Sequence, residues 1–214
     1  MKATTGAKAR AQATAMARAA ARGRDLAGRR ATAARARDDS GASGRHAHAS
    51  AAGRPVACAI ITVSDTRGRA DDGSGDAMTR LLEAAGHPVS HRVWVGDEAA
   101  AIRRAVRSAL GKPAIDVILL TGGTGVAPRD VTPEAIAPLL ETPLPGFGER
   151  FRALSQRQVG SAAWLSRACA GIARGRLVVA LPGSTRAVEL ALAELVIPEL
   201  GHMVRLLGRL KEDA

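Results

Sequence analysis

From Pro55 onward the chain alternates short, fully apolar runs with segments of helical period, and each apolar run stops at Gly, Ser, Thr or Asp. That alternation constrains the fold more than any other feature. Residues 56–63 form a β-rich apolar run ended by Ser64-Asp65, the pattern of a strand buried on both faces. Met78, Leu81, Leu82 and Ala85 then share one helical face, stopped by Gly86 and Pro88, and a second strand is predicted over residues 89–95. Ile102, Ala105, Val106, Ala109 and Leu110 recur at helical spacing before Gly111 and Pro113. A third strand, residues 115–120, runs into Thr121-Gly122-Gly123-Thr124-Gly125. Residues 132–173 read as helix-rich. Residues 177–181 read as a strand meeting Pro182-Gly183-Ser184, with an apolar helix over 185–195. Strands and helices in this order predict an α/β domain, a mostly parallel sheet covered on both faces. Ligands of such sheets sit beyond the strand C-terminal ends, where this chain places its polar and glycine-rich turns.

Charge divides the chain into two parts, expected to be an arm, 1–54, and a domain, 55–214. Of the formal +11, residues 1–54 hold twelve Lys/Arg against three acids, which leaves nineteen bases and seventeen acids in the remainder. The first 54 residues contain no Val, Ile, Phe or Trp and a single Leu, Leu26. So little apolar surface cannot offset chain entropy, and a disordered Ala/Arg-rich arm is expected. Such an arm could bind polyanions at low salt, could be translated from an over-extended start codon, or could resemble an organelle transit peptide. No apolar run of about 18 residues is present, so a soluble, cytoplasmic protein without membrane contact is expected. Cys58 and Cys169 lie in apolar sequence without C-x-x-C spacing, which fits reduced core thiols.

The residues that could carry chemistry gather at the strand ends. Glycine allows backbone N–H groups to approach a phosphate closely and tolerates positive φ, so Thr121–Gly125 is a candidate anion cradle. It is not a Walker loop, and Pro128 stands where a dinucleotide fingerprint needs its third small residue. Gly123→Val is expected to weaken binding more than stability. Ser184 is placed to cap a helix whose N-terminus could take a second anion. Asp65, Asp97 and Asp130 stand near these turns, and carboxylates facing phosphates imply magnesium. Asp97 directly precedes a clean helix and could simply be its N-cap. Thr132 and Pro133 are expected to cap and open the next helix, leaving Asp130 without that duty. The run from Asp71 to Asp76 resembles a calcium loop, but Leu82 falls where a bidentate Glu is required. His46 and His48 are expected to ligate nothing. Trp94 and Trp164, two of only four aromatics, are expected in the core or at a subunit contact rather than as stacking platforms.

The run from Leu119 to Ala135, Leu-Leu-Thr-Gly-Gly-Thr-Gly-Val-Ala-Pro-Arg-Asp-Val-Thr-Pro-Glu-Ala, resembles the molybdopterin-binding domain shared by MoaB, MogA and related plant and animal cofactor-synthesis proteins. The likeness continues through Thr62-Val-Ser-Asp-Thr-Arg67, Asp72-Gly-Ser-Gly75, Pro145-Gly-Phe-Gly-Glu149, Leu165-Ser-Arg167 and Leu181-Pro-Gly-Ser184, and it covers residues 56–207. Several of these segments are more similar to MoaB than to MogA. The resemblance implies a three-layer α/β/α fold, a homotrimer or homohexamer, and a molybdopterin adenylyltransferase using ATP and Mg²⁺ before molybdate insertion. Asp97 and Asp130 match the acidic pair associated with catalysis and metal binding. Ser64, Asp65, Thr121, Gly122, Gly123, Thr124, Gly125, Thr132, Glu134, Ser166, Arg167, Pro182, Gly183 and Ser184 become candidate substrate and nucleotide contacts. Contact with other cofactor-synthesis proteins is also implied. The alternatives are a non-catalytic molybdopterin carrier and a nucleic-acid-associated protein acting through the arm, although no specific nucleic-acid partner is expected.

Overall fold

The computed structural model describes residues 55–65 and 68–208; the expectations for the arm, its histidines, and Thr66 and Arg67 of the Asp-Thr-Arg run lie outside them. Six strands form one sheet: β1 (Cys58–Val63), β2 (Val89–Val95), β3 (Val117–Thr121), β4 (Thr142–Pro143), β5 (Cys169–Ala173) and β6 (Arg176–Leu181). Their order is β2-β1-β3-β6-β5-β4. The pairings β1–β2, β1–β3 and β3–β6 are parallel, whereas β5 runs antiparallel to both neighbours. The sheet is therefore mostly parallel with one reversed strand.

The three central strands show why both faces need cover. In β1, Cys58 and Ile60 enter one apolar cluster while Ala59, Ile61 and Val63 enter the other; Val117 and Leu119 of β3 oppose Ile118 and Leu120 in the same way. On the first face lie α1 (Gly73–Ala84), α4 (Pro145–Val159) and α5 (Thr185–Ala191), which continues through a π turn into α6 (Ile197–Leu206). The second face is covered by α2 (Ala99–Leu110) and α3 (Thr132–Ile136). Helix, sheet and helix make the three expected layers.

Two predicted segments need correction. The helix-rich reading of residues 132–173 is broken by β4 and β5, because Glu141 N and Leu144 N donate to Ile172 O and Ala170 O across a two-stranded edge. The helix predicted over 185–195 runs on to Leu206, since Ile197 N reaches back five residues to Leu192 O. Proline at 198 has no N–H for the ordinary ladder, and the widened turn before it carries the chain onward.

Candidate functional site

The C-terminal ends of β1, β3 and β6 are tied together before any ligand is considered. Gly122 N donates to Leu181 O at 3.0 Å, and Thr121 Oγ1 donates to Pro182 O at 3.0 Å. Thr132 Oγ1 donates to Gly122 O at 2.8 Å, and Thr132 N to Gly123 O at 3.0 Å. Thr121 and Thr132 are fully buried and hold the turn from behind, outside the cleft lining. Thr132 is therefore a brace; the position before it, Val131, is the helix cap residue.

Held in this way, the turn has Gly122 at φ +108° and Gly123 at φ +63°, values that favour glycine. A Cβ on Gly122 would lie 2.1 Å from Val63 O, and one on Gly123 would lie 2.4 Å from Thr132 Oγ1 and 3.2 Å from Asp97 Oδ1. One on Gly125 would lie 2.7 Å from Asp130 Oδ2. The glycines thus make room for two carboxylates as well as for a ligand. The backbone N–H groups of Gly123, Thr124 and Gly125 donate to no partner among the described residues.

Each carboxylate is anchored by one oxygen. Asp65 N donates to Asp97 Oδ2 at 3.2 Å and Asp97 N to Asp65 Oδ1 at 2.8 Å, linking the exits of β1 and β2. Asp97 does not cap α2: Glu98 occupies that position without a side-chain bond. Ala127 N donates to Asp130 Oδ2 at 2.8 Å, so Asp130 closes its own turn. The second oxygen of each carboxylate is without a hydrogen bond among the described residues. Two half-engaged carboxylates beside three open N–H donors fit Mg²⁺, which takes few protein oxygens and completes its shell with phosphate and water.

Between them opens a cleft of about 380 Å³, lined by Ser64, Asp97, the Gly122–Gly125 turn, Asp130 and Pro182 to Ser184. This volume lies within the range of small-molecule sites. Ser184 Oγ accepts from Ala187 N at 3.4 Å and caps α5, as its sequence position predicts. Arg129 also lines the cleft; in the sequence it reads as an ordinary turn residue and gives no signal of this position.

The remaining predicted residues separate from this group. Arg167 Nε donates to Gly125 O at 2.7 Å, Arg167 N to Thr124 O at 2.9 Å, and the guanidinium further binds Asp130 O and the Glu134 carboxylate. Arg167 and Glu134 therefore brace the glycine turn from outside. Ser166 and Arg167 instead line a neighbouring cavity of about 560 Å³, whose wall includes Leu144, Arg152, Trp164 and Cys169. Burial pushes the Cys169 thiol up, and Glu134 adds to this against the opposing charge of Arg167. Cys58 is a core thiol pushed up to about 12 by burial and then by Asp116.

The run that resembles an incomplete calcium loop holds a further carboxylate with a structural duty. Asp72 is fully buried and accepts from Thr62 Oγ1 at 2.6 Å, Arg92 Nη2 at 2.8 Å, Trp94 Nε1 at 2.9 Å and Gly75 N at 2.9 Å. Burial raises its pKa, but these donors and the Arg92 charge outweigh that and hold it below the usual carboxylate range. Trp94 thus has a structural partner, with the Arg92 guanidinium carbon 4.9 Å from its ring centroid. Trp164, by contrast, is 73% exposed rather than a core residue.

Residues 59–202 match the family described as "Probable molybdopterin binding domain". The chain is 48% identical over 159 residues to molybdenum cofactor biosynthesis protein B of Halalkalibacterium halodurans, covering 74% of this chain and 94% of that protein. A crystal structure of a molybdenum cofactor biosynthesis protein B superposes with a TM-score of 0.72 at 44% identity, covering 73% of this chain and 98% of the other. A structure of MogA stands further away, with a TM-score of 0.61 at 30% identity and coverage of 71% and 99%.

Proposed function

Because the chain belongs to the molybdopterin-binding-domain family of molybdenum cofactor biosynthesis proteins, on the MoaB side of it, we propose that it binds molybdopterin and adenylylates it with ATP and Mg²⁺. The observation that carries this reading is the placement of Asp97 and Asp130 against a glycine turn with open N–H donors. Carboxylates that face phosphates are usually explained by a divalent cation that offsets their charge.

In this reading the N–H groups of Gly123, Thr124 and Gly125 donate to phosphate oxygens of ATP. Asp97 and Asp130 would hold magnesium, which would supply charge neutralisation. The turn keeps its shape because Thr132 and Arg167 have already bound its carbonyl oxygens. An oxygen of the molybdopterin phosphate forms the new bond to the α-phosphorus, the bond to the β-phosphate oxygen breaks, and pyrophosphate leaves. No protein nucleophile is required; the chain contributes position and preorganised charge. Assembly as a homotrimer or homohexamer, contact with other cofactor-synthesis proteins and a cytoplasmic location belong to the same proposal. Among the described residues no helix is long and apolar enough to cross a membrane.

The deciding assay is pyrophosphate release from ATP with and without molybdopterin. Release that needs molybdopterin supports the transferase; binding of molybdopterin without release selects a carrier. Asp130→Asn sharpens the result, because asparagine can still accept from Ala127 N and keep the turn. Turnover at saturating ATP and Mg²⁺ is expected to fall by about 10²-fold, roughly 2.7 kcal/mol, with molybdopterin affinity nearly unchanged. Full turnover would remove Asp130 from the catalytic group, and equal loss of binding and turnover would mean a collapsed site.

A further inference from the structure

The sheet ends on one side at β2, which pairs with β1 alone among the described strands. Ser64 N donates to Val95 O, so by the alternation of a strand the odd-numbered backbone groups turn toward β1 and those of Arg92 turn outward. Proteins usually blunt such an edge with Pro, Lys, a bulge or a very short strand. β2 has seven residues, Val-Ser-His-Arg-Val-Trp-Val, with neither Pro nor Lys, and its one register shift lies at its start, opposite Cys58 and Ala59. On the α2 side the strand borders a groove of about 240 Å³, lined among others by His91, Val93 and Val95 of β2 and by Ala101, Arg104 and Ser108 of α2.

The charge around this groove has one sign. None of its lining residues is acidic, Arg104 and Arg107 are exposed, and Arg103, Arg104, Arg107 and Lys112 make no ion pair among the described residues. Burial pushes the His91 pKa down, and Lys112 is close enough to add to this. Charge then decides which strand the edge can accept. A second copy pairing about a two-fold axis would set the α2 arginines against their own counterparts, and residues 1–54, with twelve bases against three acids, would meet the same repulsion. An acidic strand meets neither cost.

We propose that the β2 edge is a docking site for an extended acidic segment of a partner protein, which adds a seventh strand to the sheet with its carboxylates on the α2 side, toward Arg104 and Arg107. Main-chain hydrogen bonds along the edge supply affinity, and the guanidinium groups select acidic side chains at alternate positions. The groove shares no lining residue with the glycine cleft or with the larger cavity, so the proposal stands independently of the molybdopterin reading.

The test measures fluorescence anisotropy of a labelled peptide of alternating Glu and Val with the full chain. A control peptide carries the same residues in two blocks, because the basic arm would attract either peptide by charge alone. The alternating peptide is expected to bind about tenfold more tightly, and Arg104→Glu combined with Arg107→Glu to remove that advantage while Mg²⁺-ATP binding and oligomer size stay unchanged. Methylating the backbone amides of the Glu residues alters one edge of the peptide, and methylating those of the Val residues alters the other; only one of the two should abolish the advantage. Equal affinity for the alternating and blocked peptides would overturn the proposal, as would an advantage that neither methylation reduces. A smaller oligomer in the double variant would assign the edge to a second copy and overturn it as well.

Discussion

At the scale of single residues, Asp72 shows how much a buried charge can organise when it is fully partnered. It joins Thr62 on β1, Arg92 and Trp94 on β2, and the first turn of α1, where it is the N-cap. Removing its charge leaves the Arg92 guanidinium without its buried partner. Asp72→Asn is expected to cost about 3 kcal/mol of unfolding free energy at pH 7, read by denaturant titration. The pH dependence follows from the lowered pKa. Asp72's contribution is complete above its unfolded value of about 3.9 and fades as pH falls through the lower folded value, so the acid limb of the stability curve should flatten in the variant. An unaltered acid limb would count against this role. Gly123 answers differently from its sequence expectation. Because its Cβ would meet Thr132 Oγ1 at 2.4 Å, Gly123→Val should lower the melting temperature as well as ligand affinity, and a variant of wild-type stability would show that the brace can yield.

At the scale of elements, the parts legible in the sequence are those with a strong period. β1, β3 and β6 are apolar on both faces, and α2 carries a clean stripe of Ile102, Val106, Ala109 and Leu110. β4 and β5 are not legible: β4 has two residues, one of them Pro143, and β5 reads Cys-Ala-Gly-Ile-Ala, with Ile172 its sole β-branched residue. β5 exists because it pairs with β6 through a two-residue turn, Arg174 at φ 49° and Gly175 at φ 66°. The glycine turn and the flanking aspartates are legible from residue type and position after a strand. The Arg167 brace is not, because its acceptor, Gly125 O, is a backbone atom 42 residues away. Arg176 makes the same kind of long-range bond at the other end of β6: it is 8% exposed and donates to Ile115 O at 2.7 Å and Lys112 O at 3.2 Å. Arg176→Ala removes these charge-assisted bonds and is expected to cost about 2 kcal/mol. Since the cleft lies beyond Leu181, binding of Mg²⁺-ATP by the folded fraction should be unaltered; a binding defect would couple the two ends of the strand.

At the scale of the whole molecule, charge and apolar content separate along the chain, and one deletion tests what each part does. Residues 1–54 carry twelve bases and three acids, with Leu26 their only Leu, Ile, Val, Phe or Trp. Among the described residues, the apolar clusters on the two faces of the sheet draw on side chains from Val56 to Val204. Hydrophobic burial scales with apolar area, so a segment of this composition adds little to folding or to a subunit interface. Deleting residues 1–54 is therefore expected to leave the unfolding midpoint, the oligomer size by light scattering and molybdopterin binding unchanged. Its charge, in contrast, is nearly all of the net +11, because the remaining nineteen bases face seventeen acids. Full-length protein should bind a polyanion such as heparin at low salt and release it as salt rises, and the truncated chain should lose that retention. A lower midpoint or a smaller oligomer after truncation would make the arm part of the fold. Salt-sensitive retention that survives truncation would move the polyanion contact onto the domain, where Arg103, Arg104 and Arg107 share α2.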